Sequence, residues 1–171
     1  IFQKMVLQRF GYHVVIVSGS ILYKETIAST GIGIGHYEPL GHYAEVVLYL
    51  EPLERNSGII VESIATEEQL PIWFQNSIIS TLKETTIPGV LTGSPITDIR
   101  ITIVGGRAHK KHTEGGDFRQ ASNRALRQGL KNVQSQVLEP FYSIQLEVPV
   151  ENVGRAIQDL NLMRAKLEQP V

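Results

Sequence analysis

The chain has 171 residues, 42% of them apolar and 19% charged, with a net charge of −1. That length and composition suit one large folded domain, or one domain with a fragment beside it, and not a disordered segment. There is no cysteine, which removes disulfide frameworks, thiolate zinc sites, iron–sulfur clusters and cysteine nucleophiles, and fits a cytoplasmic setting.

Residues 2–10 read as a helix closed by Gly11, the residue best able to take the left-handed conformation after a helix end. The chain opens on Ile1 inside that pattern and is expected to be a piece of a longer protein. No charged segment with an apolar core and cleavage site marks a signal peptide, and no apolar run approaches the roughly 18 residues of a membrane span. Residues 12–17 and 20–27, rich in β-branched and aromatic side chains, predict strands. STGIGIGHYEPLGHY (29–43) has no clear period and predicts a glycine-rich loop or irregular hairpin. Its GIGIG invites comparison with a phosphate cradle. No lysine–serine pair follows, and the next predicted element is a strand and not a helix, so a flexible connection is expected. His36 and His42 read as surface residues. Residues 44–50, stopped by Pro52, and 58–64 predict two further strands.

TEEQ (66–69) has the form of a capping box, with Pro71 as an alternative first helical turn. Leu70, Phe74, Ile78 and Leu82 recur every fourth residue, with Ile79 beside them, as one apolar stripe ended by Pro88-Gly89. GSP (93–95) is a turn before a strand and not a nucleophile elbow. In residues 98–104 isoleucines alternate with other residues, the pattern of a strand with one buried face. A loop is then expected across GGRAHKKHTEGGDFRQ (105–120), with Asp117 capping a helix. Phe118, Ser122, Leu126, Leu130 and Val133 fall on its inner side, and Arg119, Asn123, Arg127 and Lys131 repeat along a basic face. A domain boundary is placed near 137–140. After it, 141–148 predicts a strand and 151–167 a helix with Val153, Ile157, Leu160 and Met163 inward, too few elements to close a sheet.

The charge is unevenly spread. Residues 100–131 hold eight basic and two acidic side chains, a local +6 against −7 for the remainder. Such polarity is the footprint of a polyanion partner, set against the plainer alternative of a solvated helix and a charged hairpin tip. His109 and His112, with Glu114 and Asp117 near by, suggest a metal site. However, Gly115-Gly116 deny the helix that their spacing needs, and Lys110 and Lys111 repel a dication. An acid–base role for His109 lacks an identified carboxylate partner. The expected role is a surface for hydrogen bonding and stacking.

Three blocks carry a resemblance: LYKETI (22–27), GVLTGSPITDIRITIVGGRAHKKH (89–112) and LEPFYSIQLEVPVENVGRAIQDLN (138–161). Collinear across nearly the whole chain, they resemble the C-terminal half of the elongation factor G superfamily of ribosomal GTPases, most nearly its branch of tetracycline-resistance ribosomal-protection proteins. The resemblance implies an α+β chain of ribosomal protein S5 domain 2-like fold with partial flanking ferredoxin-like elements. Residues 1–20 would end domain III, 21–137 form domain IV and 138–171 begin domain V. It also implies a left-handed crossover within domain IV.

The implied function is an arm entering the ribosomal A site and contacting small-subunit rRNA near the decoding centre, with tRNA or mRNA near by and no membrane. The Gly-x-x-His step of the elongation factor's tip falls on Gly106–His109. Where the elongation factor continues with acidic and serine residues this chain has Lys110, Lys111 and His112, and the prolyl-centred tip of known protection proteins is absent. The resemblance thus carries ribosome binding further than translocation or drug release. Lys110 and Lys111 would attract phosphates, while Arg107, His109 and His112 stack on or bond to unpaired bases; Arg119, Arg127 and Lys131 would extend the surface. GTP and Mg2+ are implied for the parent and no cofactor for this piece, which is expected to be non-catalytic. Two alternatives stand beside this: a protein-interaction module without RNA contact, and a small-molecule phosphotransferase on an S5-like fold.

Overall fold

A computed structural model describes residues 2–15, 19–84, 86–114 and 116–168. The chain divides into two compact units, the first ending at Pro140 and the second beginning at Phe141.

In the first unit, helix α1 (Phe2–Phe10) ends as its sequence requires. Gly11 takes φ 70° and its N–H donates to the Leu7 carbonyl at 2.9 Å. Residues 12–15 and 20–23 form no strand, and 16 and 17 lie outside the described residues. A strand needs a bonded neighbour, and only Lys24–Ile27 (β1) find one, in Ser135–Leu138 (β6), antiparallel.

The main sheet has four strands: β2 (Gly31–Tyr37), β3 (Ala44–Pro52), β4 (Ile59–Ser63) and β5 (Ile99–Ala108), ordered β2-β3-β5-β4. The β2/β3 and β3/β5 pairs are antiparallel, and β4 runs parallel to β5. Helices α2 (Ile72–Glu84) and α3 (Asp117–Asn132) pack on each other and on the sheet. Between them lie Val46, Leu48, Leu50, Ile99, Ile101 and Ile103 from the strands, Ile78 and Leu82 from α2, and Phe118, Ala125 and Leu130 from α3.

The GIGIG stretch is therefore strand β2 and not a flexible loop. Gly33 and Gly35 face α3 so closely that a β-carbon on either would overlap the carbonyl oxygen of Ala125 or Ala121. The glycines are there to admit a helix backbone, not a phosphate. Side chains of α3 then occupy the outer edge of β2. The Ile34 N–H donates to Gln128 Oε1, and Arg124 Nη1 donates to the His36 carbonyl at 2.8 Å. These contacts cover an edge that would otherwise invite another strand.

Helix α2 starts later than the capping box suggests. Thr66 and Gln69 do exchange their reciprocal bonds, at 3.1 and 3.3 Å. Pro71 cannot donate to residue 67 and its ring crowds that turn, so the motif closes a separate turn and the helix begins at Ile72.

In the second unit, residues 141–148 form no strand, since among the described residues no neighbouring strand supplies a ladder. A short 3-10 turn (Val150–Asn152) leads into α4 (Val153–Leu162). This helix stops well before residue 167, where Arg164 takes φ 57° and the Ala165 N–H bonds back to the Leu160 carbonyl. Of the predicted inward side chains Val153 and Leu160 are half-buried, while Ile157 and Met163 are exposed.

Candidate nucleic-acid interface

Strand β5 runs four residues past its predicted end, so Gly105, Gly106, Arg107 and Ala108 are sheet and not loop. Ile103 pairs with Leu48, but Gly105 pairs with Val47, leaving Val104 as the extra residue of a bulge. The bulge resets the alternation. Without it, Ile99, Ile101 and Ile103 would be followed on the core face by 105 and 107. With it, Gly106 and Ala108 pair with core residues Val46 and Ala44, and Arg107 lies exposed opposite Glu45.

The tip proper is the tight turn 109–113. The Thr113 and His112 N–H groups both donate to the His109 carbonyl, at 3.0 and 3.1 Å, and the His109 N–H donates to Thr113 Oγ1 at 2.7 Å. The same hydroxyl donates to the Tyr43 carbonyl at 2.6 Å, while the Tyr43 N–H donates to the His112 carbonyl at 2.7 Å. A second loop, residues 38–43, is thereby tied to the first. His42 completes the tie, its Nδ1 lying 3.0 Å from Asp117 Oδ1.

Asp117 does not cap α3 from outside. It is the first helical residue, and its buried carboxylate reaches back to accept from the Glu114 N–H at 2.8 Å. The 38–43 loop was legible only as irregular chain. Gly41, at φ 83°, is the one local sign of its tight turn.

His109, Lys110, Lys111 and His112 are all exposed at this tip. The two histidine rings stack on each other, with centroids 4.6 Å apart and planes 23° apart. One face of each is thus taken by its partner, leaving one free per ring. His109 Nδ1 accepts from the Lys111 N–H at 3.3 Å, a bond that in a neutral ring places the proton on Nε2. A cleft of about 550 Å3 lies between the two loops, bordered by Leu40, His42, Tyr43, His109 and His112. At its margin Glu38, 2.8 Å from His36 Nε2, holds that imidazolium above the ordinary histidine range, with Glu45 adding to the effect.

The basic window does not form one patch. Arg100 is paired with Glu62 and Glu51, and Arg124 lies over the Tyr37 ring as it bonds β2. Among the described residues Arg107, Lys110 and Lys111 at the tip, and Arg119, Arg127 and Lys131 on the exposed face of α3, have no carboxylate within ion-pairing distance. The span from Arg119 to Lys131 covers twelve residues of helix, about 18 Å. The predicted residues thus fall into a compact tip group and a separate helical row.

These elements define an α+β fold of the ribosomal protein S5 domain 2 type. Residues 19–134 match the family model described as elongation factor G, domain IV, and the chain belongs to that family. It is 35% identical over 151 residues to elongation factor G 2 of Desulfotalea psychrophila, covering 86% of this chain and 22% of that protein. It is 29% identical over 167 residues to elongation factor G of Thermotoga maritima, covering 94% and 24%. A crystal structure of a Thermus thermophilus protein superposes with a TM-score of 0.76 at 28% identity, over 98% of this chain and 26% of that one. The chain therefore spans about a quarter of the length of these relatives.

Proposed function

We propose that this chain is the ribosome-binding arm of a translation-factor GTPase of the elongation factor G type, with its tip entering the A site and touching small-subunit rRNA. In that reading residues 1–20 end domain III, 21–137 are domain IV and 138–171 begin domain V. The observation that carries the RNA contact is the pair Lys110 and Lys111, exposed and, among the described residues, free of ion pairs on a turn that hydrogen bonds tie to the 38–43 loop. Lysines so placed neutralise phosphates without having to break an internal pair. The free faces of the His109–His112 stack offer a surface for an unpaired base. Nucleotide hydrolysis would belong to the parent's GTPase domain. The GIGIG strand is filled by the α3 backbone and does not fit a triphosphate. The relatives named above favour the elongation-factor branch. A parent of the ribosomal-protection branch would instead release tetracycline from ribosomes, which a drug-release assay distinguishes.

The test is binding of the full-length factor to small ribosomal subunits at several salt concentrations. Combining Lys110→Ala with Lys111→Ala should weaken binding and flatten the log–log salt slope by about one to two, at roughly 0.7–0.9 for each phosphate no longer neutralised. Thermal melts should be unchanged, since an exposed turn contributes little buried area. An unchanged slope and affinity would take the tip out of the RNA interface and leave a protein-interaction module as the better reading.

A further inference from the structure

A second cleft, also about 550 Å3, opens between α2, residues 87–90 and the second half of α3. Its floor is made of core side chains, Leu82, Leu126 and Leu130. Its rim on α3 is the row Asn123, Arg127 and Lys131, each four residues from the next and so about 6 Å apart on one face. None of the described residues lining the cleft is acidic, and neither cation has an ion-pair partner among the described residues. Behind the wall Glu25 lies beneath Gly89, fully buried and already bonded to Leu91 and Thr92.

We propose that this cleft is a nucleotide site, taking one unstacked base of a single-stranded RNA on its apolar floor. Arg127 and Lys131 hold the flanking phosphates, and Asn123, a donor and acceptor at once, reads the base edge. Permanent negative charge outside and a flat apolar body inside match a cationic rim over a leucine floor. The Arg127 guanidinium plane can also cover the base from above.

An extended peptide fits less well, because two of the main-chain groups of the 87–90 wall are already taken. Gly89 N–H is taken by the Ser94 carbonyl and the Ile87 carbonyl by the Ile96 N–H, each at 2.9 Å. The other two walls are helices. The inference rests on the reading of this chain as an RNA-contacting arm, but it concerns a surface separate from the tip.

The experiment is methyl NMR on the full 171-residue chain, titrated with a hexauridylate and with an abasic ribose-phosphate hexamer of equal charge. Hexauridylate should shift the methyls of Leu82, Val90, Leu126 and Leu130, and the abasic strand should not. Arg127→Glu with Lys131→Glu, both on an exposed face, should weaken binding at least tenfold and abolish those shifts. Asn123→Trp, which closes the mouth without altering charge, should abolish the methyl shifts alone. Lys110→Ala with Lys111→Ala should leave the methyl shifts in place, which separates this site from the tip. Equal methyl shifts from the abasic strand, methyl shifts confined to Ala108 and Thr113 at the tip, or displacement of the RNA by an acidic apolar peptide at lower concentration would overturn the proposal.

Discussion

Glu25 has no exposed surface, yet it is a carboxylate in the middle of a four-residue strand. Burial alone would push its carboxyl up. Bonds from the Leu91 and Thr92 N–H groups at 2.9 and 2.7 Å, from the Thr92 hydroxyl at 2.8 Å and from Gly93 outweigh that and hold it below the ordinary value. The carboxylate thus fastens the 89–95 turn onto β1, between residues 66 and 67 positions apart in sequence. Nothing in LYKETI announces this role, because its partners are backbone amides of a distant turn. For the same reason nothing in the apolar stripe of α2 marks Gln75. It is buried, bonds the Ala65 and Leu70 carbonyls and accepts from Ser63 Oγ. What the pattern of apolar residues does reveal at this scale is the isoleucine face of β5, since burial there follows directly from period two.

Two expectations belong at the residue scale. Because the folded carboxyl of Glu25 titrates below its unfolded value, it contributes stability that is fully present above the usual glutamate range near 4.5 and is lost as pH falls below it. Glu25→Gln should lower stability at pH 7 by about 1–3 kcal/mol, since an amide presents a donor where two donors already point. It should also flatten the acid limb, so urea melts of variant and wild type converge between pH 7 and pH 3.5; parallel curves would show that Glu25 does not drive that limb. Gln75→Leu should cost about 1–3 kcal/mol in the same assay by orphaning the buried Leu70 carbonyl and the half-buried Ala65 carbonyl, with no dependence on pH.

Helix α3 and strand β2 illustrate the scale of elements. Aperiodic glycine made β2 look like loop, because strand prediction reads side chains and here the contact is made by their absence. The signal that would have found it is the pairing of small residues on the two elements, Gly33 and Gly35 with Ala121, Ala125 and Gly129. The stripe Phe118, Ser122, Leu126 and Leu130 of α3, in contrast, was legible, since its period needs no knowledge of the partner; Val133 falls just past the helix, and Ala121, Ala125 and Gly129 complete the buried face. The bulge at Val104 was beyond sequence reasoning, being fixed by the register with β3. The packing sets a graded expectation. Gly35→Ala drives a β-carbon into the backbone of α3 at Ala121 and Ala125, whereas Gly31→Ala meets only the Val133 side chain. Overpacking against backbone should cost about 1–3 kcal/mol or more, and Gly31→Ala distinctly less because a valine rotamer can yield. Chemical denaturation of the two variants checks this; equal costs would mean that α3 shifts freely on the strand.

At the scale of the whole molecule, the first unit owns a core while the second does not. Its helix α4 buries no side chain fully, and Phe141, Tyr142, Ile144 and Leu146 are all exposed. The sequence led to a strand there because its β-branched and aromatic content is that of a strand. Propensity without a neighbour does not make a ladder, and a sheet is a property of pairs of segments. The consequence is a sharp contrast in amide protection. Residues 99–103 of β5 are bonded on both sides and lie at the centre of the core, so their amides should open only with global unfolding. Amides of 141–148 have no backbone acceptor among the described residues and should exchange within minutes at neutral pH on ice, close to the rate of an unstructured peptide. The α4 amides should fall between, being helical but without a covering core. Hydrogen–deuterium exchange read by mass spectrometry over this 171-residue chain measures all three classes at once. Slow exchange across 141–148 would show that the segment has found a strand partner, within the chain or in a second copy, and the first unit would then not be the only cooperative body in the molecule.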